Sequence, residues 1–593
     1  MGEPFVVTRL DAAVGVVQAL YQENGFPDAA VASAANEISP GVIRPVITIK
    51  EGLQVRVDAI SVTGNKGLSS ADILTVVQRL QSGSPFYAPK VAAARDAIDV
   101  LYLDHGYESA QVTPRITRSA DGTHANITFA IDEGPQTIVD HILIVGNTRT
   151  DPKVIQRELL LEPGKPLSYS AKVESQRRLA ALGLFRRVQI AELPHGAPGA
   201  HDVVVTVEEA LRTTIGFGGG AQIDRLLRAS TLGGEAHDVY EFAPRGFFEI
   251  GRRNLGGKNR SVNLYTRLSL RPNIDPTDSN PFGFSEYRVV GTYREPKAFS
   301  GYGELTGTAA IEQGVRTTFN FARKGFNGEL LHRVSPSIRG SVQYSFSTTR
   351  VFDEQLTDQE KVTIDRVFPQ VRLSEFSGAV ARDTRDDVLE PQKGTLVSID
   401  TTLAARSLGS QVGFTKGLIE GFYYRNLGRP HLVLAGGARL GLANPFRQVV
   451  TTVEPDGSTR TDIIRDLPAS ERFFAGGDTT IRGYALDGVG APNTISSEGF
   501  PIGGSALVIL NLELRTPVWR DLGAAFFVDG GNVFARASEF DLTELRGATG
   551  FGLRYRSPIG PIRVDLGFKM DRRVIGGNLE PRTALHFSIG QAF

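Results

Sequence analysis

The side chains that most often perform catalysis lack the spacing that catalysis needs. The nine histidines are scattered, with no HExxH pair for a zinc site, and cysteine is absent. The sequence also has no GxSxG nucleophile turn and no GxxxxGKS or GxxxxGKT phosphate loop. Carboxylate pairs such as Asp386-Asp387 fall in a predicted turn, where carboxylates are more often solvated than catalytic. We therefore expect no enzyme, no metal site and no cofactor.

A different chemistry is open to one long connection, residues 443–503. An unstructured connection of more than about 15 residues is usually functional or disordered. This one contains Arg472-Phe473-Phe474-Ala475-Gly476-Gly477-Asp478, followed by Ile481-Arg482-Gly483-Tyr484. Aromatic residues, glycines and one arginine do not suit a disordered tail, so we expect the loop to pack inside another part of the molecule. An enclosed guanidinium keeps its charge, and its planar fork suits bidentate pairing with carboxylates.

The composition limits the classes of protein that could contain such a loop. The 593 residues carry 65 Lys+Arg and 65 Asp+Glu, and this zero net charge argues against a nucleic-acid partner. Mean hydropathy is −0.11, and no long uncharged apolar run occurs, which excludes helical membrane spans. Membrane strands are not excluded, because half of each strand is polar. The absence of cysteine fits an oxidising compartment.

The first third of the chain repeats with a period near 80 residues. Matching groups recur at offsets of 82, 82 and 81 residues: Glu51-Gly52 with Glu133-Gly134, Gly64-Asn65 with Gly146-Asn147, and Gly83-Ser84-Pro85 with Gly164-Lys165-Pro166. Each repeat is predicted to fold as strand, helix, helix, strand, strand. We place one α+β module at 53–133 and a second at 134–210. Residues 1–52 match only the second half of a repeat, so we expect the start of this module, and a signal peptide, to be missing.

Strands replace helices after Leu211. Residues 261–270, 561–570 and 585–593 alternate between an apolar and a polar face over about ten residues, which suits a tilted membrane strand better than a soluble one. About sixteen such segments occur, an even number, and their polar face carries both signs of charge. We therefore predict tandem α+β modules followed by a 16-stranded antiparallel transmembrane β-barrel over 211–593. Its two long connections are 351–368 and the inward-folding loop 443–503.

These features resemble the BamA/TamA superfamily of outer-membrane assembly barrels, whose periplasmic repeats are called POTRA modules. The resemblance covers essentially the whole chain. It is carried by tandem modules that close on Glu-Gly, by Ile481-Arg482-Gly483-Tyr484 in a late loop, and by the segments 382–394, 527–532 and 552–561. The terminal Phe593 resembles the aromatic end by which such barrels are recognised for assembly.

The resemblance implies a binding role for the loop arginine. In the family, the loop enters the barrel and its arginine meets acids on the inner wall. The matching acids here are Glu513, between Leu512 and Leu514, and Asp529, after Val528. A carboxylate that faced lipid would cost several kcal/mol, so both should point inward.

The resemblance also implies a lateral seam between the first and last barrel strands. The seam residues we single out are Thr213, Gly216, Gly218, Gly220, Leu585, Phe587, Ile589 and Phe593. The expected function is insertion of β-barrel proteins into the outer membrane without a nucleotide, after POTRA modules capture the client and a seam strand pairs with it. The alternatives are a translocation-and-assembly paralogue for autotransporter-type proteins and a two-partner-type secretion pore.

Partners and location follow from the same resemblance. We expect unfolded outer-membrane clients, outer-membrane lipid, and accessory subunits that are periplasmic or lipoproteins, with no nucleic acid. The barrel should lie in the outer membrane of a Gram-negative-type bacterium, with the POTRA modules in the periplasm.

Overall fold

The computed structural model describes residues 5–78, 80–194, 199–228, 237–272, 282–301, 303–315, 320–352, 370–428, 432–453, 459–496, 499–557, 560–575 and 578–589. The chain divides into two compact units. One comprises the residues up to Leu211 together with Gly256–Lys258, and the other comprises Arg212–Leu255 and Asn259–Phe593. The predicted long connection 351–368 and the terminal Phe593 fall largely or wholly outside the described residues.

The N-terminal unit contains one partial and two complete α+β modules. Its first elements are a helix and a β-hairpin: α1 (Val7–Glu23), β1 (Ala30–Ser39) and β2 (Val42–Lys50). The next module is β3 (Arg56–Thr63), α2 (Ser70–Val76), α3 (Ala88–Asp104), β4 (Gln111–Arg118) and β5 (His124–Asp132). The third is β6 (Ile138–Val145), α4 (Pro152–Gln156), α5 (Tyr169–Ala181), β7 (Phe185–Pro194) and β8 (Ala200–Glu209). None of the described helices is both long and apolar enough to cross a membrane.

The recurring acidic residue at the end of each module holds a turn in place. Glu133 follows β5 and accepts hydrogen bonds from the backbone N–H groups of Lys66 and Gly67, at 2.8 and 3.0 Å. Glu209, at the end of β8, accepts from the N–H groups of Arg149 and Thr150 at 3.0 and 2.8 Å. A carboxylate that accepts several amide hydrogens satisfies groups that a turn would otherwise leave unpaired. In both complete modules, the end of the last strand is therefore bonded to the turn that follows the first strand.

The two complete modules have the same sheet order. The strand orders are β3-β5-β4 and β6-β8-β7, with the parallel pair on one side and the antiparallel pair on the other. The middle strand of each sheet buries alternate residues against the helices. Each module has its own apolar core, which includes Ile98 and Phe129 in one and Leu179 and Val205 in the other.

The C-terminal unit is built on one antiparallel sheet of sixteen strands, which confirms the predicted fold class. Its first eight strands are β9 (Thr213–Arg228), β10 (His237–Leu255), β11 (Arg260–Pro272), β12 (Phe282–Ala298), β13 (Gly303–Val315), β14 (Asn320–Arg333), β15 (Ile338–Phe352) and β16 (Gln370–Asp383). The others are β17 (Gly394–Ala404), β18 (Phe414–Asn426), β19 (Val433–Pro445), β22 (Ala506–Trp519), β23 (Leu522–Phe534), β24 (Arg546–Ser557), β25 (Gly560–Lys569) and β28 (Thr583–Ile589). Within the described residues, β9 and β28 form the two edges of this sheet.

The connection 443–503 joins two strands that pair directly. β19 and β22 are hydrogen-bonded neighbours, so the whole segment between them leaves the sheet and returns. This segment contains a short hairpin of β20 (Gln448–Val453) and β21 (Thr459–Ile464). A second short hairpin, of β26 (Val574–Ile575) and β27 (Asn578–Leu579), lies in the connection between β25 and β28. Apolar residues of the segment, including Phe473, Ile481 and Tyr484, are buried in one cluster with sheet residues. The loop therefore packs against the sheet.

Candidate functional site

Arg482 lies at the centre of a buried ion network on the polar face of the sheet. Its Nε and Nη2 donate to the two carboxylate oxygens of Asp529 on β23, at 2.7 and 2.9 Å, and its backbone N–H donates to the same carboxylate at 3.0 Å. Its Nη1 donates to Glu513 on β22. These three side chains are at most 1% exposed. The structure thus brings together the arginine and both acids that the sequence singled out.

Strand alternation explains why the acids point toward the loop. On β22, Leu510 and Leu512 are about half exposed while Asn511 and Glu513 are buried. On β23, Val528 is exposed and Asp529 is buried. Successive side chains of a strand point to opposite faces, so the apolar neighbours fix the direction of the carboxylates.

Two further arginines share the acids. Arg515 Nε donates to Glu513 at 2.8 Å, and Arg554 Nη2 on β24 donates to the same carboxylate at 3.2 Å. Arg554 also pairs with Asp565 on β25, which receives Arg563 at 3.2 Å. Burial of an ion is costly unless each charge is paired and hydrogen-bonded, and this network meets that condition across four strands.

The backbone around Gly483 lies directly against the sheet. Gly483 has a φ of +98°, and a Cβ added at Gly567 on β25 would lie only 2.5 Å from the Gly483 nitrogen. A side chain at position 567 would therefore push the loop away. The Gly483 N–H donates to Nε2 of His586 on β28, at 3.1 Å. Ile481, which is fully buried, packs into the apolar cluster beside these contacts.

Tyr484 adds contacts with β24 and with the residues that follow β25. Its hydroxyl donates to Asp571, at 2.8 Å, and lies 3.0 Å from the Gly547 carbonyl. The guanidinium carbon of Arg546 lies 4.6 Å from the ring centroid, which is a cation–π arrangement. Arg546 in turn pairs with Asp571 at 3.0 Å and with Glu580. The four residues Ile481–Tyr484 together contact β22, β23, β24, β25 and β28.

The described residues of the predicted seam lie on the two edge strands of the sheet. Thr213, Gly216, Gly218 and Gly220 lie on β9, and Leu585, Phe587 and Ile589 lie on β28. Leu585 and Phe587 are 58% and 69% exposed, on the outward face. Phe593 lies outside the described residues. A Cβ at Gly218 would lie 2.6 Å from the Phe247 ring, whereas Gly220 has open space around it.

The modules hold two clusters of potential metal ligands among the described residues. The ligand atoms of Glu108, Glu192 and His201 lie within 4.8 Å of one another, as do those of Asp140, His141 and Asp202. Protein contacts account for both clusters. Lys172 pairs with Glu192, and His141 Nδ1 lies 3.2 Å from Asp202.

Sequence reasoning missed Phe527, Arg515, Arg554 and His586 as members of the site. The alternation of side-chain directions along each strand placed all of them on the inward face, so these directions could be predicted from the sequence. Their partners depend on the register between strands and on where the loop crosses them, neither of which periodicity specifies.

Sixteen antiparallel strands with an apolar outward face and a charged inner face, preceded by α+β modules, define a transmembrane β-barrel with periplasmic repeats. Residues 254–593 match the Omp85 superfamily domain, and residues 55–134 and 137–210 each match the POTRA family, described as a surface antigen variable number repeat. The chain belongs to the Omp85 superfamily, and the resemblance drawn from its sequence is confirmed. It is an outer-membrane protein with its POTRA modules in the periplasm.

Relatives support this placement along the length of the chain. The chain is 25% identical to the outer membrane protein assembly factor BamA of Nitratidesulfovibrio vulgaris, over 98% of this chain and 68% of the relative. It is 20% identical to BamA of Neisseria meningitidis serogroup B, over 93% of this chain and 69% of the relative. The crystal structure of BamA from Haemophilus ducreyi lacking POTRA domains 1–3 superposes with a TM-score of 0.65 at 19% identity. That comparison covers 90% of this chain and 100% of the other, and it supports the fold.

Proposed function

We propose that the chain inserts β-barrel proteins into the outer membrane, using the edge strands β9 and β28 as the site of exchange. The observation that carries the proposal is that these two strands end the sixteen-stranded sheet without pairing in the described part of the chain. An open strand edge presents unpaired N–H and C=O groups that can template another strand. Relatives with similar modules and a similar barrel domain carry the name outer membrane protein assembly factor.

The two edges differ in ways that suit strand exchange. β9 pairs with β10 at sixteen positions, from Thr213 to Arg228, whereas β28 pairs with β25 at seven, from Thr583 to Ile589. Over the described residues, β28 therefore has fewer hydrogen bonds to lose when it separates. Glycines 216, 218, 219 and 220 remove side-chain packing from β9, which weakens any pairing across the seam. The step breaks and forms hydrogen bonds only, so it requires no catalytic residue, cofactor or nucleotide.

We propose that clients first bind the modules along the outer edges of β4 and β7. The opposite edges are partly covered by the modules themselves: Val57 N–H on β3 donates to Ser84 at 2.9 Å, and Val139 N–H on β6 donates to Lys165 at 3.0 Å. An extended client can add to a free edge through main-chain hydrogen bonds. Proline substitutions along Gln111–Arg118 at positions whose amide faces away from β5 should abolish binding of a barrel-derived peptide. Retained binding in all of them would refute this edge.

The seam is tested by locking it. Because the chain has no cysteine, single cysteines can be scanned along Thr213–Gly220 and Thr583–Phe587, and each pair is oxidised in proteoliposomes. A cross-linked pair should stop insertion of an unfolded barrel client, scored by its heat-modifiable gel shift, and a reductant should restore it. Insertion at the unlocked rate after complete cross-linking would contradict the proposal.

The same vesicles separate the alternative functions. A two-partner-type secretion pore would deliver a soluble passenger into the vesicle interior and leave barrel insertion unaccelerated. A translocation-and-assembly paralogue would accelerate autotransporter-type clients but not simple barrels. The proposed function requires acceleration of simple barrels.

A further inference from the structure

A hydrogen bond joins the loop motif to β28, the last described barrel strand. The Gly483 N–H donates to Nε2 of His586, with 3.1 Å between the nitrogens. His586 is 7% exposed and lies on β28 between the outward-facing Leu585 and Phe587. The donor belongs to the residue that follows Arg482, which the ion network already fixes to β22 and β23. Two adjacent loop residues are therefore bound to different strands, Arg482 to β22 and β23 and Gly483 to the edge strand β28.

The imidazole can serve as this acceptor in only one of its charge states. A neutral imidazole has one nitrogen that accepts a hydrogen bond, whereas an imidazolium donates at both nitrogens. A protonated His586 would therefore present an N–H toward the Gly483 N–H. Among the common side chains, histidine is the one that ordinarily changes charge between pH 5 and 8.

Charged groups surround His586 on the elements packed against it. Asp565 is its cross-strand partner on β25, and Arg482 precedes the loop residue that His586 binds. Other buried charged groups on the neighbouring elements are Glu513, Asp529, Arg546, Arg554, Arg563, Lys569 and Glu580. Asp565 already pairs with Arg554 and Arg563, so its attraction for an imidazolium is shared with these two guanidinium groups.

We propose that His586 is a positioning residue that couples the loop to the terminal strand, holding β28 while neutral and releasing it when protonated. Release from the loop would remove one restraint on the short edge strand, which is also paired with β25, and so ease its exchange with a client strand. This consequence rests on the proposed insertion function, whereas the coupling itself does not.

The coupling is tested by distance measurement in the full chain. With no native cysteine to interfere, spin labels go on Leu486→Cys in the loop and Leu585→Cys on β28, both of them exposed positions. At pH 8 the distance distribution between the labels should be narrow, and at pH 5 it should broaden toward longer distances. His586→Gln offers an uncharged acceptor at both pH values and should stay narrow. His586→Leu offers none and should be broad at both.

Client insertion in the same samples separates this inference from the proposed function. Insertion should be faster at pH 5 than at pH 8 in the unsubstituted protein, and His586→Gln should remove that difference. Broadening of His586→Gln at pH 5 equal to that of the unsubstituted protein would overturn the coupling, as would a narrow distribution for His586→Leu at both pH values. A histidine-dependent distance change without any client insertion would support the coupling and overturn the insertion function.

Discussion

The guanidinium carbon of Arg482 lies 3.7 Å from the centroid of the Phe527 ring. Phe527 is 2% exposed and lies on β23 two residues before Asp529, so one strand supplies both an ionic and an aromatic partner to the same arginine. The ring covers the face of the guanidinium, while the carboxylates pair with its edge. The buried guanidinium therefore has partners both around its edge and on its face.

Replacement of Phe527 by leucine should destabilise the barrel without changing its charge. A cation–π contact away from water contributes about 2 kcal/mol, and some aromatic packing would be lost as well. The midpoint of heat-induced unfolding on semi-native gels should fall. The matched control is Phe526→Leu, since Phe526 is the outward-facing neighbour at 57% exposure and should shift the midpoint little. Equal shifts in the two variants would contradict the role of the ring.

Arg482→Ala, which removes the charge, should lower the unfolding midpoint more than Phe527→Leu does. Truncating one partner of a buried ion pair typically costs about 3–5 kcal/mol. Burial of all three partners argues for the full range. Arg482→Lys should recover only part of the stability, because an ammonium cannot bond to both oxygens of Asp529 in the planar fork. Arg288→Ala, on a half-exposed barrel arginine, is the control.

The same network predicts how double substitutions combine. Glu513 retains its ion pairs with Arg515 and Arg554 when Arg482 is removed. Asp529 is therefore the acid that loses most of the positive charge beside it. Asp529→Asn should therefore recover stability in the Arg482→Ala background, and Glu513→Gln should recover less. Groups in one network are expected to be non-additive. Full additivity of these changes in unfolding midpoint would refute the network.

The glycine at position 567 should be needed for the loop to dock. Gly567→Ala would place a Cβ 2.6 Å from the Gly483 Cα, and backbone cannot yield as a flexible side chain can. We expect increased protease cleavage within residues 472–484 and a lower unfolding midpoint. Gly328→Ala on β14 has open space around the new methyl group and should leave both measurements unchanged. A protected loop in Gly567→Ala would show that the contact is not required.

Local pattern predicted the barrel strands and the direction of Glu513 and Asp529, because both depend only on a period of two along the chain. It also predicted the modules, whose terminal acids, Glu133 and Glu209, bind turns of their own modules. It did not reveal that Gly483 meets His586, a contact across 103 residues that depends on the path of the loop. The Phe527 contact was missed for the same reason, since an inward aromatic residue indicates burial without naming what it covers.

The contact between the two complete modules contains a pair of acids that should make it sensitive to pH. Glu108, after α3, and Glu192, on β7, come from different modules, and their carboxylate groups lie together with His201. A hydrogen bond to Glu192, together with burial, raises the pKa of Glu108 to about 7. Burial also acts to raise the pKa of Glu192, but hydrogen bonds from Glu108 and Lys172 outweigh it and lower that pKa overall. The pair therefore holds one proton in the neutral range.

The pH dependence of this contact follows from the directions of the two pKa shifts. The raised pKa of Glu108 means that its contribution to the contact is present at low pH and is lost as pH rises through about 7. The lowered pKa of Glu192 means that its contribution is present above the ordinary range of a glutamate and is lost only below it. The contact should therefore weaken as pH rises through about 7, and it should be stronger at pH 6 than at pH 8.5. Spin labels on Val100→Cys and Val173→Cys, one exposed site per module, should give a narrow distance distribution at pH 6 and a broader one at pH 8.5. Glu108→Gln keeps a donor for Glu192 at every pH and should stay narrow, whereas Glu162→Gln, on an exposed acid of the same unit, should keep the pH response. Persistence of the broadening in Glu108→Gln would mean that another group controls the contact.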